Sequence, residues 1–176
     1  PLWNPHLYSG APFAADNQTG VFYPINLIAF ALLGQPSYGA MEGLVVLHVW
    51  LAAVGTYVLL RGLRLRRPAA VLGALAFALS DLFLTHVGNL NLNATAAWLP
   101  WILWALQRAL ERRSAWWTVV GGAMLAAAAL AGHAQMLLFL GLAVGLYGLY
   151  YVAVIVVGRR ERTCADLVQT LGLTGL

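Results

Sequence analysis

Lysine is absent from this chain, and charge of either sign is scarce: the 176 residues hold ten arginines, six acids and only 9% charged positions. Soluble domains carry about 25% charged residues. A mean hydropathy of +0.77 and 61% hydrophobic content place the chain instead with membrane proteins. The single cysteine, Cys164, excludes an internal disulfide. Without a cysteine pair or an HExxH motif, a zinc site has little to stand on. The longest absence decides most: Ser114 to Gly158 is a run of 45 residues without Asp, Glu, Lys or Arg. One crossing takes about 20 apolar residues, so that run accommodates two. Gly43–Leu60 and Val87–Gln107 are also free of charge.

The arginines that are present stand in three clusters: Arg61, Arg64, Arg66 and Arg67; Arg108, Arg112 and Arg113; Arg159, Arg160 and Arg162. Each borders an apolar run, the pattern of cytoplasmic loops, and a nucleic-acid partner is rejected on that ground. The expected fold is an all-α polytopic transmembrane helix bundle. It has a structured extracytoplasmic N-terminal loop with a short interfacial helix over residues 1–40. Five transmembrane helices follow within 41–158, at about 41–60, 68–87, 94–107, 116–131 and 136–157. Residues 159–176 form a cytoplasmic loop and the start of the next element. Since residue 1 is Pro and the chain stops inside an apolar pattern, it is read as a piece of a longer protein. The span at 94–107 is short and needs tilt, extension beyond its turn or bilayer thinning; Pro100 is able to kink it.

If the arginines face the cytoplasm, residues 1–40, the 88–94 loop and the 132–135 turn share the opposite side. These segments and the adjoining helix end hold His6, His86 and His133, with Asn4, Gln18, Asn89, Asn91 and Gln135. Polar side chains avoid lipid, so they are expected to line one polar cavity. Asp16 is the one carboxylate of the outer loops, suited to act as a general base or a cation ligand, or simply to make an Asx turn. Glu42 reads as a helix-dipole partner. Asp81 is either an intramembrane functional acid or the start of a second short helix after a break. Asn93 is placed to cap the third span, and His48 reads as a satisfied packing histidine.

The leader PLWNPHLYSGAPFAADNQTGVFYPINLIAF resembles the first loop of YfhO-like bacterial membrane proteins. The resemblance is carried by Pro1–Pro5, Gly10–Phe13, Gln18–Gly20 and Tyr23–Leu27, and continues in Phe77–Leu106 and Leu130–Gln135. It implies a GT-C-like glycosyltransferase of the bacterial cytoplasmic membrane. Such an enzyme takes a sugar from a polyprenyl-phosphate carrier and passes it to a glycan or cell-envelope acceptor, often with a divalent cation such as Mg or Mn. It also implies a catalytic acid upstream of Pro1. Within the chain itself, Asp16, the outer-loop carboxylate, is the catalytic candidate. Asn4, His6, Gln18, Asp81, His86, Asn89, Asn91, His133 and Gln135 are candidates for holding the lipid-linked sugar. A transporter or flippase, or a non-catalytic assembly subunit, are the alternatives.

Overall fold

The computed structural model describes residues 3–5, 10, 12–13 and 15–172, in all but the side chains of residues 17 and 155–172. His6 lies outside the described residues, as do the side chains of the third arginine cluster. Among the described residues the chain is all-α. After a single 3-10 turn at Asn17–Thr19 come α1 (Pro24–Leu33), α2 (Tyr38–Gly62), α3 (Arg67–Ala78) and α4 (Asp81–Leu84). Then follow α5 (Leu90–Ala97), α6 (Leu99–Arg112), α7 (Ala115–Leu130) and α8 (Ala134–Gly172). Three stretches, Tyr38–Gly62, Arg67–Leu84 and Ala134–Val154, are long and apolar enough to cross a membrane. Pro24–Leu33 and Ala115–Leu130 are shorter apolar helices.

Local chemistry sets most of the boundaries. Ser37 caps α2, its Oγ accepting from the Ala40 N–H at 3.3 Å. Pro24 and Pro68 stand in first turns, where the missing N–H costs nothing. The stretch expected to span 68–87 is interrupted: Leu79 and Ser80 leave the helix, and Asp81 opens α4. The stretch expected over 94–107 begins earlier, at Leu90, and is divided at Trp98, two residues before Pro100. Asn93 is not its cap. Asn89 holds that position, with Oδ1 accepting from the Leu92 N–H at 3.1 Å. Residues 159–172, expected as a cytoplasmic loop and the start of the next element, continue α8 to Gly172.

The chain divides into two compact units, Pro1–Gly141 and Leu142–Leu176. In the second unit, Leu142, Leu146, Leu149, Tyr150, Val152 and Val154 of α8 are exposed. The first unit is built around α5 and α6. Leu92 to Ala97 are all buried, and Ala96 and Ala97 pack with Ala52 of α2 and Phe83 of α4. Trp101 Nε1 donates to the Leu51 carbonyl at 2.9 Å, and Gln107 Nε2 to the Gly62 carbonyl at 3.2 Å. Residue numbers rise together along both helices, so α2 and α6 run parallel. Gly55 makes the first contact possible: a Cβ there would lie 2.4 Å from Trp101 Nε1. α7 returns antiparallel along α6 and α5. Trp117 meets Trp104 edge-on at 4.9 Å, and the Ala128 carbonyl lies opposite Thr95.

The first unit keeps an apolar, alanine-rich core but also buries polar groups and exposes large apolar ones. It buries Asn26, His48, Thr56, Asn93, Thr95 and Gln107 while exposing Leu32 (79%), Trp50 (61%) and Leu72 (70%). α1 is the plainest case: Asn26 is 4% exposed, whereas Leu27, Ile28, Leu32 and Leu33 face outward. Such a partition is favourable when the surrounding solvent is hydrocarbon, because polar groups then find partners only in the interior.

Candidate functional site

The leader, the start of α5 and the turn after α7 meet at one end of the first unit. Asn91 Nδ2 donates to the Gln18 carbonyl across 73 positions of sequence. Gly20, held at φ +57°, lies against the other two segments. A Cβ there would stand 3.2 Å from Asn26 Nδ2, 3.4 Å from the Ala131 carbonyl oxygen and 3.5 Å from Asn91 Oδ1. Asn26 Nδ2 donates to the Gly20 carbonyl at 3.0 Å. Tyr23, Ala94 and Ala131 are buried together beneath this junction.

Asp16 belongs to this cluster. Its Oδ1 accepts from the Gln18 N–H at 2.9 Å, and its carbonyl accepts from Thr19 Oγ1 at 2.8 Å. That is an Asx turn, and it engages Oδ1 while leaving the carboxylate at the surface. Beside it is an open pocket of about 160 Å³, lined by Ala15, Asp16, Thr19, Gly20, Val21, Phe22 and Leu130. The leader meets Asn91 of α5 and the Ala131 carbonyl after α7, but this pocket is lined by no residue of 88–94 or 132–135, so it is not the shared polar cavity expected. Most polar atoms of these segments serve packing, and the open space lies along the Asp16 loop.

The other candidates fall as follows. Asn89 is occupied as the α5 cap. Asn91 ties the leader down. Asn4 is half-buried at residues 3–5. His86 is exposed; its Nδ1 lies 3.1 Å from the Leu82 carbonyl and 2.9 Å from Thr85 Oγ1. A carbonyl only accepts, so Nδ1 carries the proton. His133 caps α8, its Nδ1 accepting from the Met136 N–H at 3.1 Å, which puts its proton on Nε2. Gln135 and Asp81 are exposed, Asp81 as the first residue of α4. His86 and His133 are thus both committed locally through Nδ1.

One buried constellation lay beyond the sequence reading. Trp98 Nε1 donates to the Tyr23 hydroxyl at 2.9 Å, and that hydroxyl stands 2.8 Å from His48 Nε2. His48 Nδ1 donates to the Leu44 carbonyl at 2.6 Å. The tautomer follows: Nδ1 is protonated, Nε2 accepts, and Tyr23 donates. Burial pushes the Tyr23 hydroxyl pKa up, and the Trp98 hydrogen bond draws it partly back. His48 is the satisfied packing histidine expected, but Tyr23 and Trp98 satisfy it from remote positions. The one sequence signal for such groups is a polar residue inside an apolar run, as at His48 and Asn26.

At the opposite end of α5–α6 and α7 lie the first two arginine clusters. The Gln107–Gly62 bond joins the ends of α6 and α2, so Arg61–Arg67 and Arg108–Arg113 share this end. The sixteen residues of α7 separate it from the Asp16 junction by roughly 24 Å. Compared with family models, curated proteins and solved structures, the chain matches none of them.

Proposed function

We propose that the chain is part of an integral-membrane glycosyltransferase of the bacterial cytoplasmic membrane. It moves a sugar from a polyprenyl-phosphate carrier to a glycan or other cell-envelope acceptor on the extracytoplasmic side. The observation that carries this reading is the exposed Asp16 carboxylate beside an open pocket, at the end of the bundle remote from the arginines. The YfhO-like motifs of the leader agree with it. The acceptor hydroxyl gives its proton to Asp16 and attacks the anomeric carbon. The bond to the lipid phosphate breaks as the new one forms, and the phosphate leaves with the electron pair.

A divalent cation is the cofactor such a reaction commonly takes. Among the described residues no three His, Cys, Asp or Glu side chains form a metal-ligating group.

The test is transfer from labelled polyprenyl-phosphate sugar in membranes containing the protein. Asp16→Asn is expected to lower the rate by about 10²-fold or more, with unchanged protein level and helicity. A wild-type rate in Asp16→Asn removes the assigned base, and no transfer by the wild type removes the reading. A transporter draws on the interrupted helices at Ser80 and Trp98; flux across vesicles without transfer is the result that favours it.

A further inference from the structure

The arginine end offers a second site, independent of glycosyl transfer and resting only on the chain's membrane-embedded character. Seven arginines gather there: Arg61, Arg64, Arg66, Arg67, Arg108, Arg112 and Arg113. The nearby carboxylate, Glu111, is already engaged. It lies 3.7 Å from Arg108 and accepts from Gln107 Nε2 at 2.8 Å. The other six arginines are exposed, and no described carboxylate pairs with them. No acid stands in the first turn of α3 or α7, both of which start at this end. The local charge is thus strongly positive and uncompensated.

Two of these arginines sit where the backbone disfavours them. Arg64 has φ +65° and Arg113 φ +49°. In each case the following N–H reaches back to close the helix, Leu65 to the Leu60 carbonyl at 3.1 Å and Ser114 to Ala109 at 3.3 Å. This closure ordinarily takes glycine in the left-handed position. Here both positions keep a guanidinium. Apolar side chains alternate with the charges: Leu63 is 42% exposed, Leu65 37% and Trp116 69%.

We propose that this end binds the phosphates of anionic phospholipids, with the 61–67 and 108–116 segments acting as one rim. The guanidiniums meet the phosphate layer, bidentate where two oxygens are presented. Leu63, Leu65 and Trp116 enter the acyl boundary beside them. This alternation selects an amphiphile over a soluble polyanion, which would leave the three apolar groups in water.

The test uses the full chain in nanodiscs of phosphatidylcholine, alone or mixed with phosphatidylglycerol, with retained lipid read by native mass spectrometry. The wild type is expected to retain phosphatidylglycerol preferentially. Arg64→Gly/Arg113→Gly is expected to weaken that retention about five-fold per charge removed. Its fold persists because glycine suits both turns, so its melting temperature in phosphatidylcholine is expected to be unchanged or raised. Arg64→Lys/Arg113→Lys should keep the preference. Equal retention of the two lipids by the wild type overturns the proposal, as does unchanged retention in the folded glycine variant. Displacement by an equal concentration of inorganic phosphate also overturns it, because the site would then take the free anion.

Discussion

The Tyr23 hydroxyl and His48 Nε2 are 2.8 Å apart in the interior, 25 positions apart in sequence, and joined by a hydrogen bond that Tyr23 donates. The same hydroxyl accepts from Trp98, so one oxygen satisfies two nitrogens, that of His48 buried and that of Trp98 partly buried. Tyr23→Phe leaves both without a partner. The expected loss is about 2–6 kcal/mol, from roughly 1–3 for each orphaned group. Trp98→Phe removes one donor and orphans nothing but a hydroxyl that still donates, so it should cost less. Thermal unfolding in micelles checks the order; a Tyr23→Phe midpoint equal to wild type defeats the assignment.

The same burial gives a pH signature. Tyr23 is held protonated beyond its ordinary value of 10.0, so above that value the unfolded chain releases a proton that the folded chain keeps. Stability is fully present below about pH 10 and falls as pH rises further. In the difference between wild type and Tyr23→Phe, the gap should be flat from pH 7 to 9 and shrink above 10. A gap that widens at alkaline pH has the wrong sign.

Gly55 lets the Trp101 indole reach the α2 backbone. Gly55→Ala should cost about 1–3 kcal/mol by overpacking, although alanine is the better helix former. The cost should largely vanish in a Trp101→Leu background. Additive effects in that double-mutant cycle would mean the two residues do not meet as described.

Asn91 fastens the leader to α5. Asn91→Ala should leave helicity intact and cost about 0.5–1.5 kcal/mol, while making the 12–22 region more open to limited proteolysis. It should also reduce sugar transfer if the Asp16 loop acts as proposed. Unchanged protease resistance argues against the tie.

Asn89 caps α5 through its side chain. Asn89→Ala should lose about 1 kcal/mol and Asn89→Asp much less. Asn93→Ala tests the competing position. Asn93 caps nothing and instead donates through Nδ2 to the His86 carbonyl at 2.8 Å from within the core. Equal losses in Asn89→Ala and Asn89→Asp contradict the capping role.

The amino-acid sequence by itself determined the helical class and the apolar stretches, and it offered the Asx turn at Asp16 as one of three readings. It also located the clustering of charge at helix ends. These follow from run length, proline positions and contacts within a few residues, all of which are local. Placing Asn93 as a cap and the Asn-rich patch in a loop failed because propensity cannot tell a cap from a buried amide one turn later. Only the tertiary structure decided that Leu92–Ala97 is interior, that Gln18 meets Asn91 and that Tyr23 completes His48 and Trp98. The sequence already put the arginine clusters on one side; the structure added the Gln107–Gly62 bond that joins the first two. The reason is physical: when the outside is apolar, polar groups are satisfied by one another, and which partners meet depends on how helices distant in sequence are packed.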